Sequence, residues 1–253
     1  MTEYYDLHIA ADEKDLKRTV EISKRLGWSG LAIIKKTHDL SDFLKFKERL
    51  SGLGAGIKIL AGVELYPTNL NSIQQEIRKF RRDADVIFVS GDDSITRAAS
   101  DCWELDCISS PINIQQKDFM KQRNSGIDYA IAKSCAEKGI AIEIRFSDVL
   151  RYYGKLGSEL MARIKQNIDI CNDTRAPLLL TSGAKDPFEL RSPLELLGFG
   201  RFLGMSKYSL SEAPRNILER TNGRKDPNVI LKGLRVQDWG DIKLKEKRLY
   251  GWY

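Results

Sequence analysis

The chain has 253 residues, with 41 Lys+Arg against 35 Asp+Glu, a formal net charge of +6 and 42% hydrophobic residues, which excludes an intrinsically disordered chain and indicates a folded globular one. Its apolar runs are short and Met1-Thr2-Glu3 enters directly into a strand-like segment, so neither a membrane span nor a secretory signal is expected, and a cytoplasmic location is. Cys102, Cys107, Cys135 and Cys171 contain no C-x-x-C pair and the chain has 2 histidines, so these read as reduced, buried thiols and not as a zinc or disulfide framework.

Seven β-branched or aliphatic runs follow one another: Tyr4 to Ile9, Leu31 to Ile34, Ile57 to Val63, Val86 to Val89, Leu105 to Ile108, Ile140 to Ile144 and Leu178 to Leu180. Each is too short for a helix and too continuously apolar for a strand exposed on one face, the pattern of a parallel strand covered on both sides. After the first run, Asp12 is placed to cap a helix whose apolar positions Leu16, Val20 and Leu26 end at Gly27. After the third, Ile73 and Ile77 anchor a helix carrying Arg78, Lys79, Arg81 and Arg82. Ile127, Ile131 and Cys135 recur at helical spacing before Gly139, and Leu160, Ile164, Ile168 and Cys171 make a second such stripe. Ser192-Pro193 opens a further helix, and Phe202 to Arg220 gives helix signals where an eighth strand would stand.

Strand and helix in alternation predict a single-domain α/β fold, a TIM-like distorted (β/α) barrel of about seven parallel strands spanning residues 1–222. A doubly wound open sheet is the alternative, weakened because no strand runs into a G-x-G-x-x-G turn. Residues 223–253 read as a basic extension: from Arg224 onward there are eight Lys+Arg and four Asp+Glu. Its aromatics Trp239, Tyr250, Trp252 and Tyr253 suggest a docking role.

In such a barrel, chemistry sits at the C-terminal ends of the strands. Asp6, His8, His38, Glu64 and Asp92 there could form a metal cluster, while Lys35, Lys36, Arg145 and Lys185 would place positive charge in the same mouth. Cations close by disfavour a further cation and suit phosphate. Thr181-Ser182-Gly183 could bind a phosphate through backbone N–H groups or could simply turn the chain.

Tyr5-Asp6-Leu7-His8, Gly62-Val63-Glu64-Leu65, Gly126-Ile127-Asp128 and Leu178-Leu179-Leu180-Thr181-Ser182-Gly183-Ala184 resemble, in that order and spacing, the ribonuclease P protein component 3 family, the thirty-kilodalton subunits of archaea and eukaryotes. The resemblance runs from about Tyr4 to about Glu219 and implies a non-catalytic subunit of a ribonucleoprotein whose RNA matures the 5′ ends of precursor tRNA. It further implies the catalytic RNA and protein component 2 as partners, with the other protein subunits beside them and precursor tRNA contacted indirectly. The family in turn resembles the polymerase-and-histidinol-phosphatase barrels, metal-dependent phosphoesterases. His8, His38 and Glu64 match ligand positions of those enzymes; Asp6 stands where they have a first histidine, and Ser182-Gly183-Ala184-Lys185 replaces a late Asp-x-His pair.

These departures imply no catalytic residue and no cofactor, and leave Asp6, His8, His38 and Glu64 as a vestigial polar constellation. The expected RNA-binding residues are then Lys35, Lys36, Arg78, Lys79, Arg81, Arg82, Arg145 and Lys185. Phe199 to Met205 and the aromatic tail are candidate faces for component 2. Two other classes remain: a metal-dependent phosphoesterase, and a small-molecule barrel enzyme using Lys35, Arg145 and Lys185 on an anionic substrate.

Overall fold

All seven apolar runs are strands in the computed structural model, which describes residues 3–53, 56–112, 117–118, 120, 123–205, 210–226, 228–231, 234–238 and 240. They are β1 (Tyr5–Ile9), β2 (Gly30–Lys36), β3 (Lys58–Leu65), β4 (Val86–Val89), β5 (Cys107–Ile108), β6 (Ala141–Arg145) and β7 (Leu178–Thr181), all parallel and paired in chain order. Sequential order is that of a barrel; a doubly wound sheet would reverse direction partway. Among the described residues no ladder joins β7 to β1. The seam is bridged instead by the Ala10 N–H donating to the Ala184 carbonyl (2.8 Å) and the Ser182 N–H donating to Asp6 Oδ1 (3.2 Å).

Helices α1 (Leu16–Leu26), α2 (Leu40–Leu50), α3 (Ile73–Phe80), α4 (Asp93–Ser100), α5 (Tyr129–Lys138), α6 (Phe146–Arg151), α7 (Gly154–Thr174) and α8 (Pro193–Phe202) follow the strands in turn. Gly27 ends α1 at φ +92° and Gly139 ends α5 at φ +67°, left-handed positions that favour glycine. Ser192 caps α8 in a reciprocal box with Glu195. Asp12 differs from expectation: a 3-10 turn (Glu13–Asp15) intervenes before α1, and the Asp12 side chain caps nothing. Phe43, Phe46 and Phe80 are among the side chains that fill the layer between sheet and helices, each stabilising by about 1.5–3 kcal/mol when fully buried.

A second core fills the barrel itself. Leu7, Ala32, Ile34, Leu60, Val86, Phe88, Cys107, Ala141 and Leu179 point inward from the strands and meet Ala213, Ile217 and Leu218 of α9 (Glu212–Lys225). This last helix lies across the N-terminal ends of the strands. Thr221 donates to the Asp85 carbonyl, and Arg220 donates to the carbonyls of Trp103 (2.6 Å), Leu105 (3.1 Å) and Gly139 (2.7 Å), all just ahead of β4, β5 and β6. Arg224 grips Asp106 with both terminal nitrogens at 2.8–3.0 Å, and Lys225 pairs with Asp85. The same two carboxylates accept strand N–H groups, Asp85 from Ala61 (2.7 Å) and Asp106 from Ile87 (3.0 Å). A short antiparallel hairpin, β8 (Val229–Leu231) and β9 (Leu234–Arg235), follows.

The stretch from Phe199 to Met205 is divided between inside and outside. Leu203 and Met205 are buried and the Phe199 ring packs edge-on against Phe146 at 5.0 Å, which leaves Phe202 as its exposed large side chain. Trp239, Tyr250, Trp252 and Tyr253 lie outside the described residues. All four cysteines are buried and unpaired, and no described helix is long and apolar enough to cross a membrane.

The barrel mouth as candidate functional site

Parallel strands bring their C-terminal ends to one rim, and there Glu64 from β3, Glu143 from β6 and His8 from β1 meet. All three are essentially inaccessible to solvent. His8 Nδ1 is 2.9 Å from Glu143 Oε1, and its Nε2 is 4.0 Å from Glu64 Oε2. Between the carboxylates lies the Arg145 guanidinium, 3.1 Å from Glu143 Oε2 and 3.5 Å from Glu64 Oε1. Lys36 Nζ approaches Glu64 Oε2 at 2.9 Å. Ser109 Oγ lies 2.8 Å from Glu64 Oε1 and 3.1 Å from Glu143 Oε2, and Thr181 donates to Glu143 Oε1 at 2.6 Å. Gly183 belongs to the arrangement: at φ +60°, a Cβ there would fall 2.0 Å from Arg145 Cγ, so the arginine reaches the carboxylates over a residue that must be glycine.

The electrostatics balance within the protein. Burial pushes the Glu64 and Glu143 carboxyls up, but the charges of His8 and Arg145 outweigh it, with Lys36 adding to the effect on Glu64, and both end below the ordinary range. The same carboxylates hold Arg145 more firmly protonated, against the opposing effect of its burial. At Asp6 burial prevails over the charge of His8. Burial raises the Asp6 carboxyl to about 6, against hydrogen bonds from Ser182 and His8; its Oδ1 accepts the two N–H groups while Oδ2 is buried without a partner.

A hydrolytic metal centre does not fit these residues. An ion between Glu64 and Glu143 would have to displace the guanidinium, and two carboxylates are already matched by two fixed cations. Among the described residues no group of three His, Cys, Asp or Glu is arranged to hold a metal. His38, expected with the cluster, is held elsewhere: its Nδ1 is 2.6 Å from Glu76 Oε2 on α3 and its ring meets Tyr66 edge-on at 4.2 Å. Asp92 caps α4, accepting from the N–H groups of Ser94 and Ile95. Of the Thr181-Ser182-Gly183 segment, Thr181 ends β7 and the Ser182 N–H is spent on Asp6, while the Ala184 N–H that follows is spent on Ser182 Oγ.

The cations expected to form one RNA-binding set have different fates. Arg81, read as part of an exposed helix face, is 6% exposed. Helix α3 ends at Phe80, and the turn that follows swings Arg81 inward over the Trp103 ring (4.3 Å) and toward Glu104 (3.5 Å). Burial and the nearby Arg224 charge lower it to about 10. Arg78 donates to buried Glu104 at 2.6 Å, Lys79 to the His38 carbonyl at 2.6 Å, and Lys35 lies 3.5 Å from Asp42. Arg82 and Lys185 are exposed. Glu143 was missed from sequence, although a lone glutamate in the apolar run Ala-Ile-Glu-Ile was a legible signal.

The RNase P subunit p30 family model matches residues 3–226. The ribonuclease P protein component 3 of Methanosarcina mazei is 28% identical over 248 residues, covering 95% of this chain and 98% of that protein. Its counterpart from Methanothermobacter thermautotrophicus is 27% identical over 236 residues, covering 88% and 92%. Among solved structures, a chain in the cryo-EM structure of archaeal ribonuclease P with mature tRNA matches with a TM-score of 0.74 at 20% identity, over 93% of this chain and 100% of that one. At that identity the likeness is one of fold.

Proposed function

The chain belongs to the RNase P subunit p30 family, and from that premise we propose that it is a non-catalytic protein subunit of ribonuclease P, supporting RNA-catalysed 5′ maturation of precursor tRNA. The observation that carries the non-catalytic part is the mouth, where Arg145 and Lys36 neutralise the carboxylates that an enzyme would turn to a metal. The chain's contribution is then to bind. A catalytic RNA packs phosphates densely, and lysines and arginines offset that repulsion while releasing counterions.

In this reading the partners are the catalytic RNA, protein component 2 and the other protein subunits, with precursor tRNA reached indirectly, all in the cytoplasm. Arg78, Lys79, Arg82 and Lys185 are the proposed phosphate contacts, and Lys35, Lys36 and Arg145 contribute to the potential of the mouth while serving its internal ion pairs. Residues 1–222 are read as the barrel and 223–253 as a basic extension, with α9 running across that boundary through Arg224 and Lys225, which pair on the floor. The phosphoesterase alternative needs an ion where the guanidinium lies. A small-molecule enzyme would need the charges of Lys35 and Arg145, which are spent on Asp42 and Glu143.

The test is cleavage of precursor tRNA by the cognate catalytic RNA at limiting Mg²⁺, with and without this protein and component 2, and with the protein alone. Stimulation that requires the RNA is expected; cleavage by the protein alone would reverse the reading.

A further inference from the structure

Arg78 and Lys79 of α3 also have structural partners, Glu104 and the His38 carbonyl, and a second set of exposed cations lies on α1. Lys17, Arg18, Glu21, Lys24 and Arg25 are all exposed, and at that spacing they form one stripe down the helix opposite its buried Leu16, Thr19, Val20 and Ser23. Four of the five are basic. Lys24 and Arg25 fall in the last turn, where the helix dipole favours cations. Lys17 and Arg18 fall in the first turn, where it opposes them, and that turn contains no acid. Among the described residues Lys17, Arg18 and Arg25 make no ion pair. Helix stability therefore does not explain the first-turn pair.

The stripe continues across the barrel seam. A 3-10 turn (Pro187–Glu189) after β7 packs against α1 and holds Phe188 outward, 76% exposed, with the Arg18 guanidinium 5.1 Å from the ring centre. Exposed Lys185 precedes it in the same connection. The acids close by are committed: Asp186 accepts the Phe188 N–H (2.7 Å), and Glu189 takes the Lys185 N–H (2.8 Å) and lies 3.4 Å from Arg151. A surplus of cations with an outward aromatic ring among them matches a single-stranded nucleic acid, whose phosphates need charge and whose unpaired bases need a stacking face.

We propose that α1 and the turn at Phe188 form a binding surface for single-stranded RNA, in which Lys17, Arg18, Arg25 and Lys185 meet backbone phosphates and Phe188 stacks on an unpaired base. The surface deepens the ribonuclease P reading and rests on it. It is separate from the mouth ion cluster and from α3.

The full chain is titrated, by fluorescence anisotropy across a salt series, into a labelled 12-nucleotide oligouridylate and into the catalytic RNA of its own ribonuclease P. The variant K17Q/R18Q/R25Q is expected to lower the slope of log affinity against log salt on the oligouridylate by about 2, at roughly 0.7 per lost contact. Phe188→Ala is expected to weaken that binding roughly tenfold with the slope unchanged. A charge-matched control, K45Q/K133Q/R201Q, replaces exposed cations elsewhere and should bind as the parent does. All altered residues are exposed, and matched thermal midpoints confirm folding. Equal losses in control and test variants would overturn the surface, reducing it to net charge. Unchanged RNA binding by the test variant, with lost association to a partner protein, would overturn it in favour of an acidic protein face. Failure of the parent chain to bind the catalytic RNA would instead strike the subunit reading itself.

Discussion

At the floor of the barrel Asp106 holds Arg224 and the Ile87 N–H, and Asp85 holds Lys225 and the Ala61 N–H. At the mouth Glu143 and Glu64 hold His8, Arg145 and Lys36. Both are networks of buried or half-buried carboxylates answered by cations, but the cations come from different places. Those of the floor arrive on α9, about a hundred residues or more downstream, so the pairs fasten the last helix over the open end of the inner core. Those of the mouth stand on the strands themselves, beside the carboxylates they neutralise. The floor network fastens a helix to the strand ends; the mouth network links strand to strand across the barrel, His8 of β1 to Glu143 of β6 and Arg145 of β6 to Glu64 of β3, and cancels a set of ligand-type side chains in place. Two sites of like composition thus differ in role because of where their counter-charges are anchored.

The largest effect should come from the floor. Asp106→Ala strands Arg224, 7% exposed, and removes an acceptor from Ile87; a loss of about 3–5 kcal/mol in urea unfolding is expected, and a loss below about 1 kcal/mol would mean that α9 does not seal the barrel. Next, Arg145→Met at the mouth should cost about 3 kcal/mol by leaving two buried carboxylates exposed to each other. Adding Glu143→Gln should restore part of that loss, since the double variant removes charge in a balanced pair. Both glutamates sit below their ordinary range in the fold, so the stability they contribute is present above their unfolded pKa and fades as pH falls. Arg145→Met should flatten that acid limb, and an unaltered limb would break the assignment of Arg145 as counter-charge.

Asp6 gives a shift of opposite sign. Raised to about 6 in the fold, it binds its proton more tightly there than in the unfolded chain. Its favourable contribution is complete below its unfolded value near 3.8 and is lost as pH rises through about 6, a change of order 2–3 kcal/mol. Asp6→Asn keeps an acceptor for Ser182 and His8 and should stabilise the protein at pH 7 by about 2 kcal/mol while abolishing that dependence; a destabilised variant would mean that the charge itself is needed. Smallest is Lys36→Gln, expected to cost under about 1 kcal/mol because the ammonium is half in solvent.

The strands were legible because each is apolar on both faces, and helix ends such as Gly27, Gly139 and Ser192-Pro193 carry their own stop and start chemistry. The floor was not: nothing local in the sequence ties Arg224 to Asp106 or announces that α9 covers the strand ends. The mouth was legible in part. His8 and Glu64 stand together at the strand ends, whereas His38 went to Glu76 and Glu143 was passed over. The four cations from Arg78 to Arg82 read as one face because spacing alone does not reveal that α3 stops at Phe80 and turns Arg81 toward Trp103. The α1 stripe had a visible helical period and was read only for its apolar side.

The most direct test concerns His8, the buried imidazole at the centre of the mouth. Single-turnover cleavage of precursor tRNA at limiting Mg²⁺ would be measured with the catalytic RNA, component 2 and either the parent chain or His8→Asn, each checked for folding. Equal stimulation by both is the outcome expected of a subunit that acts by binding. A folded His8→Asn protein that leaves RNA binding intact but lowers the cleavage step by tenfold or more would contradict it and return the mouth to the chemistry.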